Sequence, residues 1–418
     1  AAGHDADGDV LTYSLTDNAG GRFAINAATG VVTVANAALI DFEAAASHQV
    51  TIAVNDGASI YDETFTIAVT DVSEARIYNG TPGANVFTAP AGSIDRWTVD
   101  GKAGADVITT ADGNDVIVAG AGDDTYSTGG GDDVITYKGT LAANGTDTID
   151  GGAGFDEIRA LGAYTTISYA SLAGIEKING QNFVGVNIVG TSGADTLDFT
   201  AIDLTGIAAI KGGAGNDTVI GSAASDVIWG EGGNDILSGA GGGDVFLIGT
   251  QSGFDAFDGG AGFDTVKATA NNVKIGLSGV AGIELFDSSG FANVTIVGTA
   301  SADDLDLTGA TTSGIALIDL GAGNDAFIGS NSADVIRGGA GADELGGGLG
   351  ADTFLYSSPA ESKGTAIDTL TDFVGGQDKI DLSALDANGK VGGNQAFAFI
   401  GNSGFHNVAG ELRVTYDS

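Results

Sequence analysis

A nine-residue periodicity constrains this chain more than any other feature of its sequence. Residues 212–247 divide into GGAGNDTVI, GSAASDVIW, GEGGNDILS and GAGGGDVFL, so that an aspartate recurs at the sixth position. An apolar residue follows two positions later, and glycine dominates the positions before the aspartate. The pattern G-G-x-G-x-D-x-U-x is typical of a parallel β-solenoid with calcium-binding turns. A glycine-rich linker is the alternative, but a linker has no reason to keep aspartates and apolar residues in phase.

The spacing also predicts where the aspartates lie. The first six residues of each segment form a turn, because glycine adopts positive φ angles without steric cost, and the last three form a strand. Two segments make one coil of about 18 residues, so Asp217 should lie below Asp235, and Asp226 below Asp244 on the opposite edge. A column of carboxylates repels itself unless a cation intervenes, and Ca²⁺ takes about six to eight oxygen ligands. We therefore expect calcium as the cofactor, bound by aspartates and turn carbonyl groups.

Charge and composition argue against several classes of function, among them nucleic-acid binding and membrane insertion. The chain has 55 acidic and 15 basic residues, with a formal net charge of −40, which argues against nucleic acid because phosphates demand a basic surface. Hydrophobic residues make up 43% of the chain and recur regularly, which favours an ordered fold over acidic disorder. There is no cysteine, so disulfides and thiolate metal sites are excluded. No apolar run reaches the roughly 18 residues of a membrane span, and we expect no membrane insertion.

The nonapeptides recur in three long units. Similar motifs open these units at residues 80–85, 190–195 and 298–303, and the second and third units match without insertion or deletion. Because packed coils tolerate length changes poorly, the segments at about 159–210 and 267–318 are predicted to be further solenoid coils. The aspartates in ligand register are Asp106, Asp115, Asp124, Asp133, Asp217, Asp226, Asp235, Asp244, Asp325, Asp334, Asp343 and Asp352. The outliers that extend the ladders after short breaks are Asp147, Asp156, Asp255 and Asp264. The fifth position of the repeat, occupied for example by Asp123, is expected to be variable.

These repeats resemble the RTX (repeats-in-toxin) family of secreted calcium-binding proteins. From residue 351, the stretches ADTFLYSSPAESKGTAIDTLTDFVGGQDKIDLSALD, AFAFIG and FHNVAGELRVTY resemble the serralysin-type C-terminal capping domain, which continues past residue 418 in the family. That resemblance implies Asp368, Asp372 and Asp378 as calcium ligands. It also implies type I secretion from a bacterium. A cap has a physical purpose, since a solenoid end exposes unpaired strand groups.

Residues 1–75 have a different pattern. Alternating apolar runs at 50–54 and 65–69 predict strands of a β-sandwich. The motifs DADGD, LIDFE, DG and TDV, which begin at residues 5, 39, 56 and 70, resemble a cadherin-like domain. The chain then continues with SEA, which departs from the family's Asn-Asp-Asn linker.

The cadherin-like resemblance implies two groups of ligands. Asp41, Glu43 and Asp71 would bind calcium at the junction with the next domain, and Asp5 and Asp7 would face a preceding domain. Ordinary turn aspartates are the alternative, since aspartate is common in turns. The chain starts without Met or an apolar signal region, so we expect it to be an internal fragment.

No catalytic constellation is apparent. The histidines His4, His48 and His406 lie in different segments without an HExxH motif, and no serine lies in a G-x-S-x-G motif. Neighbouring acids such as Asp123 and Asp124 should point to opposite faces of a strand, which is unsuitable for paired carboxylate catalysis. We therefore expect no enzyme activity.

Trp229 occupies the ninth position of its repeat and should point outward, next to Ile220 and Leu247 on neighbouring strands. We favour packing against a neighbouring segment of the same chain. The other interpretation is a contact surface for a second subunit or a saccharide.

The sequence thus predicts an all-β chain with calcium as folding cofactor. The predicted parts are a cadherin-like sandwich at 1–75, RTX solenoid units at 76–189, 190–297 and 298–355, and an incomplete cap at 356–418. The predicted function is that of a secreted structural or adhesive cell-surface protein, such as a surface-layer, biofilm or adhesin component, with self-assembly or cell-surface polysaccharide as partner. Two alternatives stay open: the C-terminal half of a larger secreted protease, lipase or glycan-acting enzyme, and a calcium-dependent polysaccharide-binding module.

Overall fold

The structure is a computed structural model that describes residues 8–42 and 44–413. Two compact units are present. The first comprises the described residues up to 120 together with 124–135 and 149–156, and the second comprises 121–123, 136–148 and the described residues from 157 onward. Regular structure in the described residues is almost all β, which confirms the predicted fold class. The described helices are one short α-helix and one 3-10 turn.

The N-terminal part of the first unit is antiparallel. Its strands are β1 (Thr12–Asp17), β2 (Phe23–Ile25), β3 (Val32–Val34), β4 (Ser47–Asn55) and β5 (Ile60–Ala68), with a 3-10 turn at Ala37–Leu39. Strand β4 pairs with both β1 and β5, while β2 pairs with β3. Tyr13, Phe23, Val50 and Ile52 are buried between these strands, because alternate side chains of a strand point to the same face.

The rest of the first unit is wound in parallel coils. The strands here are β6 (Ala75–Asn79), β7 (Val86–Thr88), β8 (Arg96–Asp100), β9 (Val107–Thr109), β10 (Val116–Val118) and β11 (Thr125–Ser127). Strands β6, β8 and β10 pair in parallel in one sheet, and β7, β9 and β11 pair in parallel in another. Pairing between every second strand is the topology of a solenoid, in which two strands make one coil. The change from antiparallel to parallel pairing falls between Ala68 and Ala75, next to the change in sequence pattern.

The second unit is also built mainly of parallel strands. Strands β12 (Val134–Tyr137) and β13 (Asp147–Asp150) contain residues of both units. The other elements of the second unit are α1 (Leu141–Asn144), β14 (Glu157–Ala160), β15 (Thr166–Ile167), β16 (Tyr169–Ala173), β17 (Lys177–Asn179), β18 (Asn187–Val189), β19 (Thr196–Asp198), β20 (Asp203–Thr205), β21 (Ala209–Ala214), β22 (Thr218–Ile220), β23 (Val227–Gly232), β24 (Ile236–Ser238), β25 (Val245–Ile248), β26 (Phe254–Asp258), β27 (Thr265–Ala268), β28 (Lys274–Ala281), β29 (Leu285–Asp287), β30 (Val294–Val297), β31 (Asp304–Asp306), β32 (Thr311–Ser313), β33 (Ile315–Asp319), β34 (Ala326–Ile328), β35 (Val335–Arg337), β36 (Glu344–Gly346), β37 (Thr353–Leu355), β38 (Thr369–Leu370), β39 (Lys379–Asp381), β40 (Ala398–Phe399) and β41 (Glu411–Leu412).

Parallel pairing runs through the segments between the nonapeptide ladders. Strands β15, β18, β21, β23, β25, β27, β29 and β32 follow one another in one sheet, and β19, β22, β24, β26, β28, β30, β33, β35, β37 and β39 in another. The segments at 159–210 and 267–318 are therefore solenoid coils, as predicted. They differ from the nonapeptide coils in length, since Lys177 pairs with Asp203 whereas Thr218 pairs with Ile236.

The core is a stack of the inward-facing residues of the repeat. Val219, Ile228, Leu237 and Phe246 are fully buried, each with 0% exposure. Each contributes about 1.5–3 kcal/mol on burial, and the stack fixes the register because a one-residue slip would turn these side chains outward. No helix within residues 8–42 and 44–413 is long and apolar enough to cross a membrane.

The predicted cap begins as a continuation of the coils. Strand β38 pairs with β36 and β39 pairs with β37, both in parallel. The last two strands, β40 and β41, form a separate parallel pair. The cap as a serralysin-type domain stays a prediction.

Candidate metal centre

The sixth-position aspartates form columns along the edges of the solenoid. In a column, the carboxylate Oδ1 of each aspartate accepts a hydrogen bond from the backbone N–H of the aspartate one coil before. The Asp217 N–H donates to Asp235 Oδ1 at 2.9 Å, and the Asp226 N–H donates to Asp244 Oδ1 at 2.7 Å. The two columns predicted from the nine-residue spacing are therefore present, and their aspartates are joined by hydrogen bonds.

The columns also continue across the breaks in the repeat. The Asp235 N–H donates to Asp255 Oδ1 at 2.9 Å, and the Asp244 N–H donates to Asp264 Oδ1 at 2.7 Å, so the outlying aspartates extend the ladder as expected. In the first unit the columns are Asn85, Asp106 and Asp124, and Asp115, Asp133 and Asp156. In the second unit they are Asp195, Asp217, Asp235 and Asp255; Asp226, Asp244 and Asp264; Asp303, Asp325, Asp343 and Asp368; and Asp334, Asp352 and Asp378.

Two of the three aspartates implied by the capping-domain resemblance are column members. The Asp343 N–H donates to Asp368 Oδ1 at 3.2 Å, and the Asp352 N–H donates to Asp378 Oδ1 at 3.0 Å. Asp372 has a different role, since its carboxylate accepts hydrogen bonds from two successive turn amides at 2.7 and 2.8 Å. Asp147 belongs to the second unit, where its carboxylate accepts a hydrogen bond from the buried Tyr137 hydroxyl at 2.5 Å.

The second carboxylate oxygen, Oδ2, distinguishes these aspartates from ordinary turn residues. Several column aspartates are buried, with exposure of 2% or less, and their Oδ2 atoms have no hydrogen-bond partner. Among them are Asp106, Asp217, Asp235, Asp244, Asp264, Asp325 and Asp343. A buried carboxylate oxygen without a partner is costly, and a bound cation removes that cost. These residues therefore fit a metal ion, and their hard oxygen donors suit Ca²⁺.

Glycine at the first position of the repeat makes room for this oxygen. A Cβ atom on Gly230 would lie 2.1 Å from Asp235 Oδ2, and one on Gly239 would lie 2.1 Å from Asp244 Oδ2. Glycine at the fourth position meets a different constraint. Gly233 has a φ of +137°, and its Cβ would lie 1.5 Å from the carbonyl oxygen of Gly215 in the coil before. The glycines thus hold the carboxylate inside its turn and let successive turns stack.

The buried columns resist full ionisation in the absence of a cation. Burial raises the pKa of both Asp133 and Asp255 to about 7, partly offset by the backbone N–H that each carboxylate accepts. Burial likewise raises the pKa of Asp244 and of Asp325 to about 6, and the charges of the neighbouring column aspartates add to the rise. A divalent cation would reverse this effect by stabilising the ionised form.

Asn85 fills its own turn with a positively polarised group. Its side-chain Nδ2 lies 3.0 Å from Thr81 O, 3.2 Å from Gly101 O and 3.0 Å from Asp106 Oδ1, and it also contacts Gly83 O. Carbonyl groups of two successive coils and a carboxylate thus converge on one positively polarised group. Within residues 8–42 and 44–413, no three His, Cys, Asp or Glu side chains form a metal-binding group. Turn carbonyls and carboxylates are both oxygen donors of the kind that Ca²⁺ accepts.

The described ligands implied by the cadherin-like resemblance accept hydrogen bonds from backbone N–H groups. Asp41 Oδ1 accepts a hydrogen bond from the Ala44 N–H at 3.2 Å, which is the ordinary turn arrangement, and Asp71 Oδ2 accepts one from the Ile94 N–H at 3.4 Å. Glu43 lies outside the described residues, as do Asp5 and Asp7. Calcium at this junction stays a prediction.

Sequence reasoning missed several column members. Asn85, Asp195 and Asp303 each begin a column, and Glu284 ends one, because its Oε2 accepts the Asp264 N–H at 2.7 Å. The signal was present for the first three, since each stands at the sixth position of the motif that opens a unit.

The fifth position of the repeat also forms hydrogen bonds between coils where its residue has a side-chain oxygen. The side-chain oxygen there accepts a hydrogen bond from the backbone of the next coil: Asn216 from the Asn234 N–H at 2.9 Å, and Asn234 from the Phe254 N–H at 2.9 Å. Asp123 does the same, with Thr146 as donor at 3.0 Å. This hydrogen bond of Asp123 was not predicted from the sequence. Asn, Asp and Ser recur at the fifth position, beside Gly and Ala.

Trp229 is half-buried and packs against its own chain. The Lys211 Nζ lies 4.8 Å from the centre of its indole ring and pairs with the Glu231 carboxylate at 3.1 Å. The remaining surface of Trp229 lines a groove of about 770 Å³, together with Thr250 and Gln251.

Comparison with known families agrees with this geometry. Residues 100–135, 141–162, 211–246 and 319–354 match the family model of the RTX calcium-binding nonapeptide repeat, in four copies. The repeats are RTX repeats. Together with the parallel solenoid, the RTX repeats fit a calcium-binding RTX β-roll protein.

Other comparisons add little. No curated protein matches the chain. Among solved structures, the crystal structure of human protocadherin-24 EC1-2, form II, is similar at 27% identity over 20% of this chain, with a TM-score of 0.16. The match covers 39% of that chain, and at this TM-score it does not establish a shared fold. The RTX repeats therefore carry the functional argument.

Proposed function

We propose that this chain is a secreted, calcium-dependent structural or adhesive protein of the cell surface, without catalytic activity. The observation that carries the proposal is the set of buried column aspartates whose Oδ2 atoms have no partner. They recur along both units of the solenoid, so the cation is a structural component of the fold and not a single regulatory ligand. A long array held together by many ions suits a mechanical or adhesive role.

Calcium is the cation that best matches these residues. The donors are carboxylate and carbonyl oxygens, and Ca²⁺ accepts irregular sets of such oxygens, whereas Mg²⁺ demands near-octahedral geometry and releases water reluctantly. Extracellular calcium modules bind with dissociation constants of about 10⁻⁴–10⁻³ M. A fold with that affinity would stay unwound in a calcium-poor cytoplasm and wind after export. This supports the proposed extracellular location and type I secretion.

The formal net charge of −40 also bears on the partners. Such a surface repels another copy of itself unless divalent ions bridge the two surfaces. We therefore propose calcium-dependent self-assembly or attachment to cell-surface polysaccharide as the mode of adhesion.

The test is folding as a function of calcium. Circular dichroism of the full chain in chelator should show a largely unfolded solenoid, because binding energy supplies folding energy. Millimolar calcium should produce a β spectrum, and magnesium at the same concentration should produce much less. A full β spectrum in chelator would contradict the proposal.

The groove beside Trp229 favours a polysaccharide-binding module as a second candidate. An aromatic side chain beside hydroxyl and amide groups, in a concave site of several hundred Å³, suits a neutral sugar. Trp229→Ala should weaken retention on a polysaccharide column while leaving calcium-induced folding unchanged. Ile328→Ala, a change at the equivalent outward position of a different repeat, is the control. Equal retention of both variants would exclude this candidate.

A further inference from the structure

Two kinds of turn in the solenoid differ in the partner of the aspartate Oδ2. In the first kind, which we call closed turns, the second residue is Ser or Thr and its backbone N–H donates to the Oδ2 of the aspartate four residues later. The Ser222 N–H lies 2.7 Å from Asp226 Oδ2, and its hydroxyl lies 2.9 Å from the same atom. The Ser330 N–H lies 2.9 Å from Asp334 Oδ2. The remaining closed turns with an aspartate are those of Asp195 and Asp303, with Thr191 and Thr299 as donors.

In the second kind, which we call open turns, the second residue has a positive φ and Oδ2 has no partner. Gly213, Glu231 and Ala240 have φ values of 111°, 69° and 66° and precede Asp217, Asp235 and Asp244. Positive φ is uncommon for Glu and Ala, so the turn imposes this conformation on them. The second residues of the closed turns are not among the positive-φ residues. In these turns the second residue therefore differs both in type and in backbone conformation.

Closed turns stand where a column begins. Asp226 lies one coil above Ala208, because Ile228 pairs with Ile210, and so no carboxylate precedes it. Asp195 and Asp303 precede strands β19 and β31, each of which is at the end of its sheet. At these positions Ser or Thr supplies the donors that satisfy the carboxylate.

Asn85 shows that a closed turn needs no negative charge. It occupies the aspartate position after Thr81, whose N–H and hydroxyl lie 3.1 and 3.0 Å from Asn85 Oδ1. A neutral amide therefore fills the sixth position of a closed turn with the same hydrogen bonds that an aspartate makes elsewhere.

We infer that the closed turns hold no calcium ion at their aspartate Oδ2, and that calcium binds at the open turns. This inference rests on the proposed calcium-binding function and assigns the ions within it. The backbone N–H and hydroxyl that satisfy Oδ2 in a closed turn occupy the directions from which a cation would approach, and their partial positive charge opposes its binding. Asp226 and Asp334 are then hydrogen-bond acceptors, whereas Asp235 and Asp343 are ligands.

Four isosteric variants of the full chain test this assignment. Asp226→Asn and Asp334→Asn change closed turns, and Asp235→Asn and Asp343→Asn change open turns, so all four remove the same charge. Equilibrium dialysis at saturating calcium and fixed ionic strength counts the ions bound per chain, and circular dichroism confirms folding. We expect each closed-turn variant to bind as many ions as the wild type, and each open-turn variant to lose at least one.

A fifth variant tests the cause. Ser222→Gly removes the hydroxyl and allows a positive φ, and should convert a closed turn into an open one with one additional ion. Loss of an ion in Asp226→Asn or Asp334→Asn equal to that in the open-turn variants would overturn the inference while leaving the proposed function intact. A wild-type chain that binds no calcium would overturn both.

Discussion

At the scale of single residues, the two carboxylate oxygens of a column aspartate have different roles. Oδ1 accepts the backbone N–H of the preceding coil, as Asp235 does from Asp217 at 2.9 Å, and Oδ2 remains within its own turn. The fifth-position side chain adds a second link in the opposite direction, since its oxygen accepts from the following coil. Asp123 accepts the Thr146 N–H in this way at 3.0 Å. Neighbouring positions of one repeat thus bind the coils on both sides.

This arrangement predicts that the hydrogen bond of Asp123, and not its charge, contributes to stability. Asp123→Ala should lower the free energy of unfolding by about 0.5–1.5 kcal/mol, the usual value of one hydrogen bond. Asp123→Asn keeps the acceptor and should stay close to the wild type. Urea denaturation at saturating calcium, followed by circular dichroism, measures both. Equal effects of the two substitutions would show that only the charge matters.

At the scale of the element, the repeating unit is a coil whose turn is compressed between its neighbours. The fourth-position glycine, such as Gly233, lies with its Cα against the carbonyl of the coil before. The third position is less constrained. A Cβ on Gly241 would meet its nearest atom at 3.7 Å, an ordinary contact, and its φ is not positive.

Gly233→Ala should therefore be far more destabilising than Gly241→Ala. The unfavourable φ alone costs roughly 1–3 kcal/mol, and overlap with the Gly215 carbonyl adds to this. Gly241→Ala should change stability by less than about 0.5 kcal/mol, as surface substitutions usually do. Thermal unfolding of both variants in calcium provides the comparison. A similar loss of stability in both would mean that the turns do not stack as described.

At the scale of the whole molecule, the formal net charge is −40, and many of the aspartates that contribute to it are buried in the columns. Burial raises the pKa of several of these carboxylates. Folding without a cation therefore requires some of them to take up protons. Either bound protons or bound calcium ions can reduce the repulsion between the column carboxylates. The stability of the fold should therefore depend on pH in opposite directions without and with calcium.

In chelator, the folded fraction should increase as the pH falls from 7 to 5. The pKa is raised by burial to about 7 for Asp133 and Asp255, and to about 6 for Asp244 and Asp325. An unfolded aspartate has a pKa near 4 (~3.9), so in this range the folded state binds more protons than the unfolded state does. The stabilisation that comes from protonation of these aspartates is complete below about pH 4 and is lost as the pH rises through 6 to 7.

The same titration at saturating calcium is the control. Protons compete with calcium for the ionised carboxylates, so acidification should there weaken the fold. Circular dichroism melting curves at several pH values follow both series. The same direction of change with and without calcium would contradict this account.

The sequence predicts the columns but not the partners of their oxygens. Asp217, Asp226, Asp235 and Asp244 could be placed in columns because nine-residue spacing and an inward apolar residue leave one possible register. The difference between Asp226 and Asp235 could not be predicted in the same way. It depends on the backbone conformation at the second position of each turn, which follows from packing between coils as well as from residue type.

The lengths of the irregular coils were predictable only in outline. The constant shift between units two and three indicated that residues 267–318 are packed coils, and parallel strands are found there. The pairing of these strands could not be predicted from the sequence, because these coils lack the glycines and aspartates that set the register elsewhere. Glu284 was missed for this reason, since it replaces an aspartate outside the nonapeptide pattern.

The closed turns give the solenoid a direction of growth. A coil wound onto the C-terminal side brings a carboxylate that at once accepts the amide of the coil already in place, as Asp244 does from Asp226. Winding in the reverse direction would bury Asp244 Oδ1 before this donor arrives. Ser222 satisfies Asp226 within its own turn, so that turn needs no earlier coil. Each closed turn is therefore a starting point from which the chain can begin to wind anew.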